Sequence, residues 1–262
     1  MLFKERERFE RTDVPTPSAL RNMVSAGVLV LSVIFCLVLW RSLWNKANQM
    51  NYLNDDGLYD ALYEQYEVSG PSGDLVWSDD SFSNCLLLVV DDIHAENPEL
   101  TGAQIIVRNM DAGTAAVATL PVNTRLKTEE MTISASALFA SEGATQVLPL
   151  LTDAANVHVS HVIVASSKIW DQLASFEGPT IRALLSRQTN DFYTISSDFS
   201  TGDLVEFAEW LQAAGIENFA QVEAEYSTET LEDGTEVAVI DRQALPAALG
   251  IFVAPEPEGE GE

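Results

Sequence analysis

Carboxylates cluster directly after an apolar run in the first half of the chain. Asp91 and Asp92 follow the sequence CLLLVV, and Glu96 and Glu99 come soon after them. Carboxylate oxygens are the ligands that Mg²⁺ and Ca²⁺ prefer, so Asp91 and Asp92 are candidate metal ligands. The alternative, which we favour, is that these acids lie in a solvated loop at the end of a strand.

A second candidate site is the stretch LPVNTRL at residues 120–126. Pro121 and Asn123 interrupt an apolar run there, and Arg125 is a lone basic residue in a strongly acidic chain. Three interpretations follow: an active-site loop, the remains of one, or only a connection between two elements.

Histidine and cysteine give weaker signals. His158 and His161 are three residues apart, and on a strand that spacing places them on opposite faces. With His94 in a loop and no cysteine partner, we do not expect a zinc site. Cys85 opens the apolar run and is predicted to be a small buried hydrophobe.

The net charge bounds the possible partners. The chain has 262 residues, with 14 Lys and Arg against 40 Asp and Glu, and a formal net charge of −26. Nucleic-acid binding needs basic patches, so we do not expect a nucleic acid as a partner. Because 47% of the residues are hydrophobic, the chain has enough apolar material for a folded core.

The elements that position these residues begin with an N-terminal apolar segment. The stretch NMVSAGVLVLSVIFCLVLW between Arg21 and Arg41 carries no charge. As a helix it would cover roughly 30 Å, the thickness of a bilayer hydrocarbon core, which predicts a transmembrane helix at residues 22–44. Basic residues are more frequent before this segment than after it, so residues 1–21 are expected in the cytoplasm and the C-terminal domain outside the cell membrane.

The remainder reads as one folded domain with flanking segments. Residues 45–82 are predicted to form a juxtamembrane helix and a linker. Residues 83–252 alternate strands with helices, which predicts an α/β domain with a layered helix–sheet–helix architecture. We expect one helical segment at 134–155, further helices at 167–177 and 178–188, and a helix at 200–215 that begins with a Ser/Thr cap and ends at Gly215. A hairpin is expected with Asp233 and Gly234 at its turn. The Pro/Gly-rich acidic tail at 253–262 is expected to be disordered.

The order of these elements carries a family resemblance. The chain has a single anchor, followed by NCLLLVVDD, by a hairpin that ends in LPVNTRL, and then by TISASALFASEGATQVLPLL and HVSHVIVASSKIWDQLASFEG. This order resembles that of the LytR-CpsA-Psr family of envelope-assembly proteins. The resemblance implies an α/β domain with a mixed central sheet. It also implies transfer of a glycopolymer from a polyprenyl-pyrophosphate carrier to peptidoglycan, with arginines on the pyrophosphate, acids on a metal ion such as Mg²⁺, and an apolar cavity for the lipid.

The family's charged motifs are only partly retained. Asp91 stands where the first strand of the family ends in Asp, and Thr124 matches the Thr of a motif like IPRDTR. Val122 and Asn123 stand where that motif has Arg and Asp. Other losses are Ile93 for Arg, Thr101, Gly102 and Ala103 for Arg-Ser-Asp, and Thr132 and Ser134 for the Lys and Asn at the next helix start.

Two functions remain as hypotheses. The first is a membrane-anchored, non-catalytic member that binds a polyprenyl-linked glycopolymer or another envelope-assembly protein. The second is a divergent metal-dependent phosphotransferase with Asp91 and Arg125 as catalytic residues and Asp92, Asn123 and Thr124 as ligand-binding residues. In the second hypothesis Asp91 and Asp92 would hold Mg²⁺. A third alternative is an acidic envelope protein whose α/β fold is unrelated to this family.

Overall fold

The computed structural model describes residues 19–49, 53–169, 195–215 and 218–255. The chain divides into two compact units, Met1–Met50 and Asn51–Glu262. The helices that the sequence predicts at 167–177 and 178–188 lie almost entirely outside the described residues, as does most of the tail at 253–262.

In the first unit the structure describes one helix, α1 (Ala19–Gln49). Its large apolar side chains from Val28 to Trp40 are 44–67% exposed. Among the described residues, no helix combines the length and the hydropathy that a membrane crossing requires. A helix is therefore present where residues 22–44 were predicted to be helical, whereas its role as a membrane span is not confirmed.

The second unit begins with a short helix and then alternates strands with helices. In chain order the elements are α2 (Asp56–Tyr63), β1 (Val76–Trp77), β2 (Phe82–Val90), β3 (Leu100–Asn109), β4 (Ala115–Leu120), β5 (Arg125–Lys127), β6 (Thr132–Ser134), α3 (Ala135–Glu142), α4 (Ala144–Ala155), β7 (His161–Ser166), β8 (Ile195–Ser197), α5 (Thr201–Ala214), β9 (Ala220–Glu223), β10 (Tyr226–Thr230), β11 (Glu236–Ile240), α6 (Ala244–Ala248) and β12 (Phe252–Val253).

Six strands form the central sheet in the order β8-β7-β2-β3-β4-β9. The pairs β2–β7 and β4–β9 are parallel, and the other three are antiparallel, so the predicted mixed sheet is confirmed. Strand β2 lies inside the sheet with both faces covered. This explains its continuous apolar sequence, because a strand buried on both faces needs no polar alternation.

Two apolar cores lie on the two faces of this sheet. Leu86 and Leu88 of β2 belong to the first core, together with buried residues of α2, α3, α4 and α6. Cys85 and Leu87 point to the opposite face and pack with buried residues of α5. Cys85 is 2% exposed, which confirms the prediction of a small buried hydrophobe.

Helix boundaries follow local backbone chemistry. Ser200 begins α5 as predicted, with its Oγ accepting a hydrogen bond from the Asp203 N–H, and Gly215 ends it at a φ of 72°. The single helix expected at 134–155 is wrong, because Gly143 adopts a φ of 79° and separates α3 from α4. Glycine adopts a positive φ at little cost because it has no Cβ, so Gly143 takes the chain out of the helical region.

Two hairpins extend the architecture. The predicted β3–β4 hairpin is confirmed, and its turn contains Gly113 at a φ of 67°. Strands β10 and β11 form a second hairpin with Gly234 in the turn, also as predicted. Strands β1 and β12 pair with each other, which the sequence did not predict.

Candidate functional site

The predicted site residues follow two strands that end at the same edge of the central sheet. Leu88 of β2 pairs with Ala103 of β3, which in turn pairs with Leu120 of β4. Because β2 and β4 both run antiparallel to β3, they point the same way. Their carboxyl ends are two strand spacings apart, about 10 Å. The sheet therefore brings Asp91 and the 121–125 stretch to one edge without placing them side by side.

Asp91 and Asp92 are exposed and close the turn that joins β2 to β3. The Asp91 Oδ1 accepts a hydrogen bond from the Glu99 N–H at 2.8 Å, and the Asp92 Oδ1 accepts one from the His94 N–H at 2.9 Å. Backbone N–H groups, that of Glu99 foremost, hold the pKa of Asp91 below its ordinary value of 3.8. Within the described residues, no group of three or more His, Cys, Asp or Glu is placed to hold a metal ion.

Thr124 makes the 121–125 stretch a tight turn. Its side chain is fully buried, and its Oγ1 donates to the Pro121 carbonyl at 2.6 Å. The Thr124 N–H donates to the same carbonyl at 3.0 Å, and the Thr124 carbonyl accepts from the Ala135 N–H at 2.8 Å. The hydroxyl of Thr124 is therefore used inside the turn rather than presented to a ligand.

The two residues that replace the family's charges also hold the turn in place. Asn123 Nδ2 donates to the Glu236 carbonyl at 3.1 Å, and the Asn123 carbonyl accepts from the Ala238 N–H at 3.0 Å. Val122 is half-buried and packs against the first core. This turn is tied to β11, which lies more than a hundred residues later in the sequence.

Arg125 points into a different environment. Its guanidinium forms an ion pair with Glu229 of β10, and its side chain is 39% exposed. It also lines a cleft of about 220 Å³ together with Lys127, Arg242 and Asp153, and with apolar residues of α4 and β11. We call this the basic cleft, defined by Arg125, Lys127 and Arg242.

The basic cleft is unusual for a chain of this charge. From residue 53 onward the described residues include five basic ones, Arg108, Arg125, Lys127, Lys168 and Arg242, and three of them line this cleft.

Much of this positive charge is already compensated. Arg242 donates to Asp153 at 3.0 Å, to the Ser69 hydroxyl at 3.0 Å and to Asn156 at 3.4 Å. Lys127 is exposed and has no ion pair with any described residue.

The sequence did not predict that Arg125, Lys127 and Arg242 would line one cleft. Lys127 carries a usable signal, because residues two apart on a strand share a face and Arg125 is two residues before it. Arg242 carries none, since it lies 115 positions after Lys127 and only tertiary packing brings the two together.

His161 forms the other polar pair of note. Its Nδ1 lies 2.7 Å from Asp198 Oδ2, and Asp198 Oδ1 accepts from the Val162 N–H at 2.8 Å. The imidazole stacks on Phe199 with 4.2 Å between centroids. The nearby Ser197 hydroxyl donates to the Val162 carbonyl at 2.6 Å. The Ser197 hydroxyl is thus directed at the backbone, so Ser197 and His161 do not have the geometry of a nucleophile beside its base.

Comparison with known proteins finds likeness in structure only. No protein-family model matches the chain, and no curated protein matches it. Bacillus subtilis TagV is 7% identical and covers 66% of this chain and 99% of its own, with a TM-score of 0.50. Lin1025 from Listeria innocua is 10% identical, covers 65% of this chain and 99% of its own, and has a TM-score of 0.46. TagT bound to LI-WTA is 9% identical, covers 66% of this chain and 92% of its own, and has a TM-score of 0.47.

The likeness to TagV defines the class of fold. TagV is a protein of the LytR-CpsA-Psr family, so the chain has a LytR-CpsA-Psr-like fold, as the order of its elements predicted. At 7% identity the likeness to TagV is one of fold alone.

Proposed function

We propose that this protein is a membrane-anchored, LytR-CpsA-Psr-like protein of cell-envelope glycopolymer assembly that binds or scaffolds outside the membrane without catalysing transfer. The likeness of its fold to TagV supports the place in envelope assembly. The construction of the 121–125 turn supports the non-catalytic role.

The turn is the observation that carries the proposal. In the family the equivalent loop holds charges for a pyrophosphate, whereas here Val122 packs on the core and Asn123 binds β11. Binding a diphosphate takes guanidinium groups with free donors and a cation to neutralise developing charge. Arg125 and Arg242, the arginines of the basic cleft, are each already paired with a carboxylate.

The anchor is supported by α1. This helix has 31 residues, and the uncharged part of its sequence would span roughly 30 Å. Its large apolar side chains are exposed to an extent that suits a lipid environment better than water. Carbonate washing of membranes tests the anchor: the protein should stay in the pellet, and release into the supernatant would contradict it.

A titration with polyprenyl pyrophosphate tests whether the protein lacks a pyrophosphate-binding site. The full-length protein in detergent, with Mg²⁺ present, should bind this lipid more weakly than micromolar. Micromolar or tighter binding would show that the residues present are enough to hold a pyrophosphate, and it would contradict the non-catalytic role inferred from the 121–125 turn.

The basic cleft favours one second candidate, a divergent metal-dependent phosphotransferase. Arg125, Lys127 and Arg242 would then supply the positive charge and Asp91 with Asp92 the Mg²⁺ ligands. This candidate predicts that Asp91→Ala abolishes glycopolymer attachment in cells while the protein remains folded. A wall with unaltered glycopolymer content in that mutant eliminates it.

A further inference from the structure

Strand β10 is an edge strand with an exposed surface along its whole length. All five of its residues are exposed, and its partner is β11 alone among the described strands. On its other side β11 joins the 121–125 turn through the Thr124–Ala238 bridge. Within the described ranges, β10 therefore ends this small sheet with one open edge.

The hydrogen-bonding groups on that edge can be assigned. The Asp241 N–H donates to the Glu225 carbonyl at 2.8 Å, and the Leu231 N–H donates to the Thr235 carbonyl at 2.9 Å. Because bonded and non-bonded pairs alternate along an antiparallel ladder, Ser227 and Glu229 bond to β11. The N–H and carbonyl groups of Tyr226, Thr228 and Thr230 then face away from β11, toward the open edge.

An acidic surface lies at the tip of the β10–β11 hairpin. Glu130, Glu229, Glu232 and Asp233 line a cleft of about 530 Å³ between the tips of the β5–β6 and β10–β11 hairpins, and Met131, which is 55% exposed, lies beside them. We call this the acidic cleft. Of its four carboxylates, Glu229 has an ion pair, with Arg125, and the other three have none with the described residues.

We propose that the β10 edge and the acidic cleft form a docking surface for an extended, cationic polypeptide segment that adds a strand to β10. Main-chain bonds to Tyr226, Thr228 and Thr230 would supply register, as in β-strand addition generally. Lysine or arginine side chains of the segment would enter the acidic cleft.

Charge selects this occupant over a second copy of the chain. Pairing two β10 edges would bring two sets of acidic residues together in a protein with a formal charge of −26. Like charges placed opposite one another across strands are destabilising. A cationic segment relieves the same repulsion, so the surface suits a basic partner.

A peptide titration tests the strand addition. The probe is a fluorescently labelled peptide of four Lys-Val repeats, added to the full-length protein in detergent at low salt and followed by anisotropy. Thr228→Pro removes the central donor of the open edge, and proline is tolerated on edge strands. We expect it to weaken binding about tenfold or more, whereas Thr228→Ala, which keeps the N–H, should bind like the parent protein.

Amide hydrogen exchange of the parent protein measures strand addition even if Thr228→Pro perturbs the hairpin. In the parent protein the peptide should slow amide exchange at Tyr226, Thr228 and Thr230. Unchanged exchange at these amides, or equal binding by the two Thr228 variants, would overturn strand addition.

Variants of the acidic cleft test the role of its charge in binding. Glu130→Gln combined with Glu232→Gln should weaken binding about 2- to 30-fold at low salt and less at high salt. A peptide of four Glu-Val repeats should not bind. Equal binding of the two peptides would overturn the assignment to a cationic partner. None of these outcomes depends on the proposed function, because the surface contains neither Asp91 nor the 121–125 turn.

Discussion

The basic cleft and the acidic cleft differ in how far their charges are compensated. The two meet at the Arg125–Glu229 ion pair. In the basic cleft, Arg125 and Arg242 each have a carboxylate partner. Of the four carboxylates in the acidic cleft, Glu229 alone has a basic partner among the described residues. Three of the four carboxylates of the acidic cleft therefore lack an ion pair with the described residues, whereas two of the three basic residues of the basic cleft have one and Lys127 does not. That difference favours a cationic partner over a pyrophosphate lipid.

The largest effect that bears on this comparison is expected at Arg242. If its charge is engaged in structure, Arg242→Met should lower the free energy of unfolding by about 1–2 kcal/mol, after allowance for its partial exposure. The bonds lost are those to Asp153, Ser69 and Asn156. Urea denaturation measures the change.

Lys127→Met is the matched control for that variant, since Lys127 lines the same cleft without an ion pair to a described residue. It should change the free energy of unfolding by less than about 0.5 kcal/mol. Equal effects of the two substitutions would mean that Arg242 has no special structural role.

A smaller effect is expected in the 121–125 turn, which contains Thr124. Thr124→Val removes the buried hydroxyl that binds the Pro121 carbonyl and should destabilise the protein by about 1 kcal/mol. Thr124→Ser keeps the hydroxyl and is the control for that bond. If valine is tolerated better than serine, the hydroxyl does not hold the turn.

The ion pair between the clefts should contribute less. Its two side chains are 39% and 48% exposed, so a double-mutant cycle with Arg125→Met and Glu229→Gln should give a coupling of about 0.2–1 kcal/mol. High salt should reduce that coupling. A coupling that is unchanged in high salt would contradict the exposed, screened pair described here.

The smallest effect is a pH dependence at Asp91. Its pKa is lowered in the folded protein, so its stabilising contribution is complete above its ordinary value of 3.8 and is lost as the pH falls through the lower folded value. The stability of Asp91→Asn should therefore converge with that of the parent protein as the pH falls below 3.8. A constant difference in acid would show that the charge of Asp91 is not what stabilises the turn.

The sequence predicted the parts that depend on local pattern. The apolar run of β2, the β3–β4 hairpin and the caps of α5 each follow from neighbouring residues, and the structure confirms them. The break at Gly143 was missed because apolar residues on both sides keep helical spacing, so the pattern continues across a residue whose backbone leaves the helix.

The site was predictable only in part, because it depends on distant contacts. The replacement of charge at Val122 and Asn123 was visible from their positions in the chain. Nothing local indicated that Asn123 would bind β11 or that Arg125 would pair with Glu229. Those contacts join residues more than a hundred positions apart, and they decide what the turn does.

A transfer assay tests the central claim most directly. The full-length protein is reconstituted in vesicles with a polyprenyl-pyrophosphate-linked glycopolymer, Mg²⁺ and peptidoglycan, and attached polymer is measured after the peptidoglycan is washed. We predict no attachment above that of vesicles without protein. Attachment that requires the protein and disappears with Asp91→Ala would contradict the non-catalytic assignment.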